Sequence, residues 1–209
     1  MSELGLRERK RQRTHDAISA AAITLFLAHG FDQVSVADIA AAAEVSKPTL
    51  FKYFPSKEDL VLHRVADHQG EAARVVRGRS SRQSPLAALR RHFLRGLAER
   101  DPVTGLNDHP EVLAYHRMVF ATPSLAQGVL RFAEADEVAL AEALSESGPP
   151  ATARLAAAQI VAVQRVLARE NWAQLTAGRP ADEVEPEAVR AAERGFTLLR
   201  SGLSPYDKT

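Results

Sequence analysis

The chain has no cysteine among its 209 residues. That absence excludes a disulfide framework, Cys-ligated zinc fingers, iron–sulfur clusters and thiol catalysis. It also lacks a membrane-length apolar run. The uncharged stretch Ala17–Ala28 is 12 residues long, whereas a bilayer needs about 20. No apolar region follows the basic N-terminus closely enough to read as a secretory signal, so a cytoplasmic location is expected. Strand-like alternation is missing, β-branched residues do not cluster, and no internal repeat is present. Catalytic signatures are missing too: there is no G-x-S-x-G elbow and no phosphate-cradling glycine loop. His63, His68, His92, His109 and His116 form no i,i+4 pair and no H-E-x-x-H arrangement, so no metal site is expected.

What is present favours helix. Alanine is abundant, and Pro and Gly fall at intervals as punctuation. With 45% hydrophobic residues and this length, the chain can bury a core without metal or disulfide. The net charge of +1 hides an uneven distribution. Residues 1–13 carry Arg7, Arg9, Lys10, Arg11 and Arg13 against only Glu3 and Glu8. Residues 14–64 carry four basic against six acidic side chains. A basic end of this kind can engage nucleic acid or acidic lipid.

Periodicity predicts an all-α fold of about nine helices. The first runs over about 6–29, with Ile18, Ala22, Leu25 and Phe26 on one face and Gly30 as its stop. A second helix starts at the capping-box-like Ser35-Val36-Ala37-Asp38 and ends near Glu44. A third is capped by Ser46 with Pro48 in its first turn, and Leu50 and Phe54 face inward. A fourth opens at Ser56-Lys57-Glu58-Asp59 and runs to about Arg77. Five more are placed near 86–100, 110–121, 124–146, 151–177 and 186–203.

The second and third helices, joined by Glu44-Val45-Ser46, form a helix-turn-helix candidate. In such a pair the first helix braces the second, whose N-terminal residues meet base edges in the major groove. The outward residues are Lys47, Pro48, Thr49, Lys52 and Tyr53. Lysine donates to guanine or phosphate, threonine offers a hydroxyl and a methyl, and proline offers apolar contact to a thymine methyl. Lys57 and the amides opening the fourth helix are placed to hold a phosphate.

The ordered string from Ala17 through Leu25-Phe26, Gly30-Phe31, Ser35-Val36 and Ile39-Ala40 to Val45-Ser46-Lys47-Pro48-Thr49-Leu50-Phe51-Lys52-Tyr53-Phe54-Pro55-Ser56-Lys57-Glu58-Asp59-Leu60 strongly resembles the DNA-binding domain of TetR-type (tetracycline-repressor-like) transcriptional regulators. The resemblance covers about 50 of 209 residues. It implies a basic arm (1–10), a three-helix DNA-binding domain (11–71) and a helical ligand-binding and dimerisation domain (72–209). It implies a homodimer on a pseudo-palindromic operator in double-stranded DNA. Most such proteins are repressors, released by a small-molecule effector, and no cofactor is expected. Ser35, Val36, Lys47, Pro48, Thr49, Phe51, Lys52, Tyr53 and Lys57 then belong to the DNA contact. Two residues depart from the family's pattern: Phe51 stands where Tyr is commoner, and Glu44 where Gly is. The Glu44 turn therefore either dispenses with a glycine backbone or is slightly strained.

The remainder is less informative. Ile160, Val163 and Leu167 recur at helical spacing, as do Val189, Ala192, Phe196, Leu199 and Leu203. This coiled-coil-like seam, with the resemblance, implies a four-helix dimer interface. Polar or aromatic residues on otherwise apolar helices, Tyr115, His116, Arg117, Asn171 and Trp172, are candidates for the effector pocket. Two other classes compete: a helical protein-interaction module, which would leave the helix-turn-helix unused, and a small helical enzyme, which would have only scattered residues for its chemistry.

Overall fold

The computed structural model describes residues 3–202, and these form helices and connecting turns with no strand among them. In chain order they are α1 (Glu3–His29), α2 (Val36–Ala42), α3 (Lys47–Tyr53), α4 (Asp59–Ala66), α5 (Glu71–Arg77), α6 (Pro85–Ala98), a 3-10 turn (Pro102–Thr104), α7 (Pro110–Ala121), α8 (Pro123–Ser145), α9 (Pro150–Thr176) and α10 (Ala181–Ser201). Four of the α-helices open on proline, at Pro85, Pro110, Pro123 and Pro150, where the missing amide hydrogen costs nothing and φ is already helical. None of the helices in the described residues is long and apolar enough to cross a membrane.

The chain divides into two compact units. One comprises residues through Asp67 together with Ala114–Leu130, and the other comprises His68–Leu113 and Arg131 onward. This differs from a single cut after residue 71, because 114–130 groups with the N-terminal helices. Two close approaches explain why. The Tyr115 hydroxyl donates to the Val61 carbonyl at 2.9 Å. Gly128, in the middle of α8, lies so close to α4 that a Cβ there would meet Leu62 Cδ1 at 2.3 Å. The basic N-terminal segment also differs from expectation. It is no separate arm but the first third of α1, with Arg9 Nε donating to Gly5 O at 3.1 Å.

The first unit is built on a small core of Ile18, Ala22 and Phe26 from α1, Ile39 and Ala40 from α2, Leu50 from α3, and Leu60 and Val61 from α4. In the second, α6, α9 and α10 pack around Leu89, Phe93, Ile160, Ala188, Ala192 and Phe196.

The helix expected over 56–77 is two helices. The break falls at Asp67–Gly70, where Gly70 has φ +72° and its amide donates to Asp136 Oδ1 at 2.7 Å. Burial raises the Asp136 pKa, and the Gly70 amide partly offsets this. α10 begins five residues before the expected 186, and Pro186 lies inside it. Its start is set instead by the Ala181 amide, which donates to Asp108 Oδ2 at 2.8 Å.

Candidate nucleic-acid interface

The site is built from two short helices of seven residues each, too short to persist alone in water. Caps and core packing hold them. Ser35 forms the expected capping box. Its amide and hydroxyl donate to Asp38 Oδ2 at 2.9 and 2.6 Å, and the Asp38 amide returns a bond to Ser35 Oγ at 3.2 Å. These bonds hold the Asp38 carboxyl below its ordinary range. A cap of this type contributes about 0.5–2 kcal/mol.

The turn between the helices carries Glu44 at φ +52°. Of the two expectations for this position, strain is the one observed, since a left-handed conformation costs a side chain about 1–2 kcal/mol relative to glycine. Ser46 then caps α3, accepting from the Thr49 amide at 3.2 Å, with its hydroxyl 2.8 Å from the Thr49 hydroxyl. The Thr49 side chain is thereby oriented before any ligand arrives.

Burial divides α3 into two faces. Leu50, with Phe54 just beyond the helix end, is buried in the core. Lys47, Pro48, Phe51 and Lys52 are exposed, and Lys47/Phe51 and Pro48/Lys52 are i,i+4 pairs, so the four share one side of the helix. Phe51 is 46% exposed, a large aromatic surface turned to solvent. Thr49 and Tyr53 are half-buried along its margin, Ser35 is exposed at the start of α2, Val36 is half-buried beside it, and Lys57 is half-buried in the turn before α4. That turn is fixed by a second reciprocal cap, in which the Ser56 amide and hydroxyl donate to Asp59 Oδ2 at 2.9 and 2.7 Å.

A cluster that local sequence patterns did not single out joins α1, α4 and the residue that ends α3. Ser19 Oγ is 2.7 Å from His63 Nε2. The His15 ring stacks on Phe54 at 4.6 Å and meets His63 edge-on at 5.5 Å. Burial foremost, then the neighbouring His15, pushes the His63 pKa down. The i,i+4 spacing of His15 and Ser19 was the available signal. Their partner lies 44 residues from Ser19, beyond the reach of any local pattern.

Residues 18–63 match the family model for bacterial regulatory proteins of the tetR family. The chain is also 33% identical to the HTH-type transcriptional regulator TcmR of Streptomyces glaucescens over 172 residues, covering 79% of this chain and 76% of that protein. The chain belongs to the TetR family. Its membership makes it a DNA-binding transcriptional regulator, not an enzyme. MftR of Mycobacterium tuberculosis, another transcriptional regulator, is 33% identical over 121 residues, covering 54% of this chain and 61% of that protein. Among solved structures, NalD of Pseudomonas aeruginosa, described as the secondary repressor of the MexAB-OprM multidrug efflux pump, shares the fold with a TM-score of 0.59 at 20% identity, over 88% of this chain and 96% of that one.

Part of the seam expected to meet a second copy packs within the TetR-family chain itself. Ile160, Leu167, Ala192 and Phe196 are buried in the chain's own core, and Val163, Val189 and Leu199 are half-buried against it; Leu203 lies outside the described residues. Phe196 packs on Phe93 of α6, ring centroids 6.1 Å apart. The physical reason is that spacings of three and four mark any buried helical stripe, whichever partner buries it. The apolar groups left exposed on these helices are Leu155 and Val166 of α9, at 67% and 55%, and Leu198 of α10, at 37%.

The expected pocket residues fall in both units. Asn171 is buried, and its Nδ2 donates to Thr104 O at 2.8 Å, tying α9 to the 3-10 turn. Trp172, next to it, is half-buried. Tyr115 spends its hydroxyl on Val61, and burial pushes its pKa up to about 12. Burial also pushes the His116 pKa down, and its ring lies 5.8 Å from Phe120. Arg117 is exposed.

Proposed function

We propose that the protein is a homodimeric repressor whose two α3 helices read the half-sites of a pseudo-palindromic operator, and which a small-molecule effector releases. The observation that carries this reading is the exposed side of α3, where Lys47, Pro48, Phe51 and Lys52 stand clear of the core beside a pre-oriented Thr49. Lysine and threonine there suit base edges and phosphates, and Pro48 and Phe51 suit thymine methyls. Ser35 and Val36 at the start of α2, with Tyr53 and Lys57, complete the DNA-facing surface, and the basic first third of α1 adds phosphate affinity without sequence information.

The pairing face we assign is the outer side of α9 and α10, with Leu155, Val166 and Leu198. A groove of about 340 Å³ bordered by Glu193, Arg194, Thr197, Leu198 and Ser201 supports it. The effector is assigned to the helices after α4, acting in the cytoplasm where the operator is. No cofactor is required.

Binding to the duplex upstream of the chain's own gene, measured by fluorescence anisotropy against random duplex, tests the reading. A dimer in solution with a clear preference for the upstream DNA is expected. A monomer at micromolar concentration overturns the dimer, and equal affinity for random DNA overturns the assignment of the reading face.

A further inference from the structure

Lys57 differs from the other two lysines of the interface. Lys47 and Lys52 extend into solvent, whereas the Lys57 ammonium lies 4.4 Å from the Phe31 ring centroid and 5.7 Å from that of Phe26. The two rings are tilted against each other at 5.1 Å, and they are 6% and 1% exposed. Phe26 belongs to α1, Phe31 to the turn that follows it, and Lys57 to the turn opening α4. Among the described residues no carboxylate pairs with Lys57. Asp59, two positions on, is taken by the Ser56 cap.

We propose that the Phe26–Phe31 pair is a positioning platform that holds the Lys57 ammonium ready for a DNA phosphate. The inference rests on the DNA-binding reading above and adds two residues that do not themselves touch DNA. A ring face attracts the cation through its quadrupole without neutralising its charge, so the N–H donors turned away from the rings stay available for phosphate oxygens. A carboxylate partner would have consumed them and cancelled the charge. The platform also removes rotamer freedom before DNA arrives. A free lysine has considerable rotamer entropy to lose, as Lys47 and Lys52 must when they dock. Of the three lysines, Lys57 is the one presented pre-ordered.

The test is a double-mutant cycle on the full chain, comparing wild type, Phe31→Leu, Lys57→Met and the double variant on the upstream duplex over a salt series. Lys57→Met should lower the salt slope by about 0.9 for each phosphate that Lys57 neutralises in the wild type. Phe31→Leu should weaken binding about two- to five-fold in the wild-type background, and should have no further effect once Lys57 is Met. Pentafluorophenylalanine at position 31 keeps the ring's shape while reversing its quadrupole, and should reproduce the Phe31→Leu weakening with the thermal melt unchanged. Phe31→Tyr, which keeps the ring face, should bind like wild type. The platform is overturned by equal Phe31→Leu effects in both backgrounds, by full binding of the fluorinated protein, or by an unchanged slope in Lys57→Met. A wild-type chain that binds no duplex overturns the DNA-binding reading along with it.

Discussion

Among the described residues, the long-range ion pairs of the molecule fall in one of its two units and not in the other. In the unit that lacks α3, some arginines are matched within the chain: Arg77 with Glu146 at 2.8 Å, Arg100 with Asp182 and Glu185 at 2.6 and 2.8 Å, Arg179 with Glu187 at 2.9 Å, and Arg90 with Glu193. In the unit that carries α3, none of Lys47, Lys52 and Lys57 forms a close ion pair with a carboxylate among the described residues, although Lys47 is near enough to Asp38 to help lower its pKa. The difference separates two uses of charge. Pairs such as Arg100 with Glu185 link distant parts of one chain and are satisfied before any ligand is met. On the proposed reading, the lysines around α3 are kept for an external polyanion, in a unit whose acidic residues outnumber its basic ones over 14–64. Placement, not net charge, makes the interface.

The largest effect expected lies in the paired unit. Gly105, at φ +73°, passes so close to α9 that a Cβ would lie 2.0 Å from Ala168 O. Gly105→Ala should destabilise by about 3–5 kcal/mol, at the upper end of single-residue effects. Urea unfolding measures it, and a shift of under about 1 kcal/mol, small on that scale, would mean that the loop simply moves aside. Leu50→Ala, in the other unit, should cost about 2–5 kcal/mol of stability and reduce DNA binding only through unfolding.

Its exposed neighbours should fail differently. Lys47→Ala and Thr49→Ala should melt close to wild type yet lose about 1–3 kcal/mol of discrimination wherever the wild-type side chain meets a base edge well. If both keep full preference for the operator, α3 does not read through this face. A smaller, opposite effect is expected at the turn, where Glu44→Gly should stabilise by about 0.5–1 kcal/mol, relieving the left-handed strain while adding backbone entropy to the unfolded chain.

The mildest prediction concerns acid. His63 has a folded pKa below its ordinary 6.5. At a pH between the folded and unfolded values, the unfolded chain binds a proton that the folded chain refuses. Stability is therefore full above the unfolded value and falls as pH drops through it toward the folded one. His63→Gln should flatten that part of the stability profile, measured by denaturant midpoints across pH. An unchanged profile would assign the acid sensitivity to another group.

These residues also show where the sequence was legible. Caps at Ser35 and Ser46, prolines at helix starts and the inward Leu50/Phe54 pair are local signals, and each is found where local rules place it. The exposed side of α3 follows from them, because a seven-residue helix with one buried side leaves little choice for the other. What escaped is non-local. Gly128 against Leu62, Asp136 on the Gly70 amide and Tyr115 on Val61 join residues 54–66 positions apart. They decide that the predicted fourth helix is broken and that 114–130 joins the first unit. The seam residues Ile160 and Phe196 show a second limit, since periodicity says that a stripe is buried but not by whom.

The continuous α1 has a last consequence, for reach. Helical residues advance 1.5 Å each, so the segment from Glu3 to Arg13 spans only about 16 Å, against roughly 36 Å if the same residues were extended. Residues 7–13 are exposed, and a short helical stretch without buried contacts sits near the helix–coil midpoint in water. If this segment binds phosphate as proposed, its reach is thus set by temperature, solvent and DNA itself, and unwinding would more than double the radius its arginines can sweep.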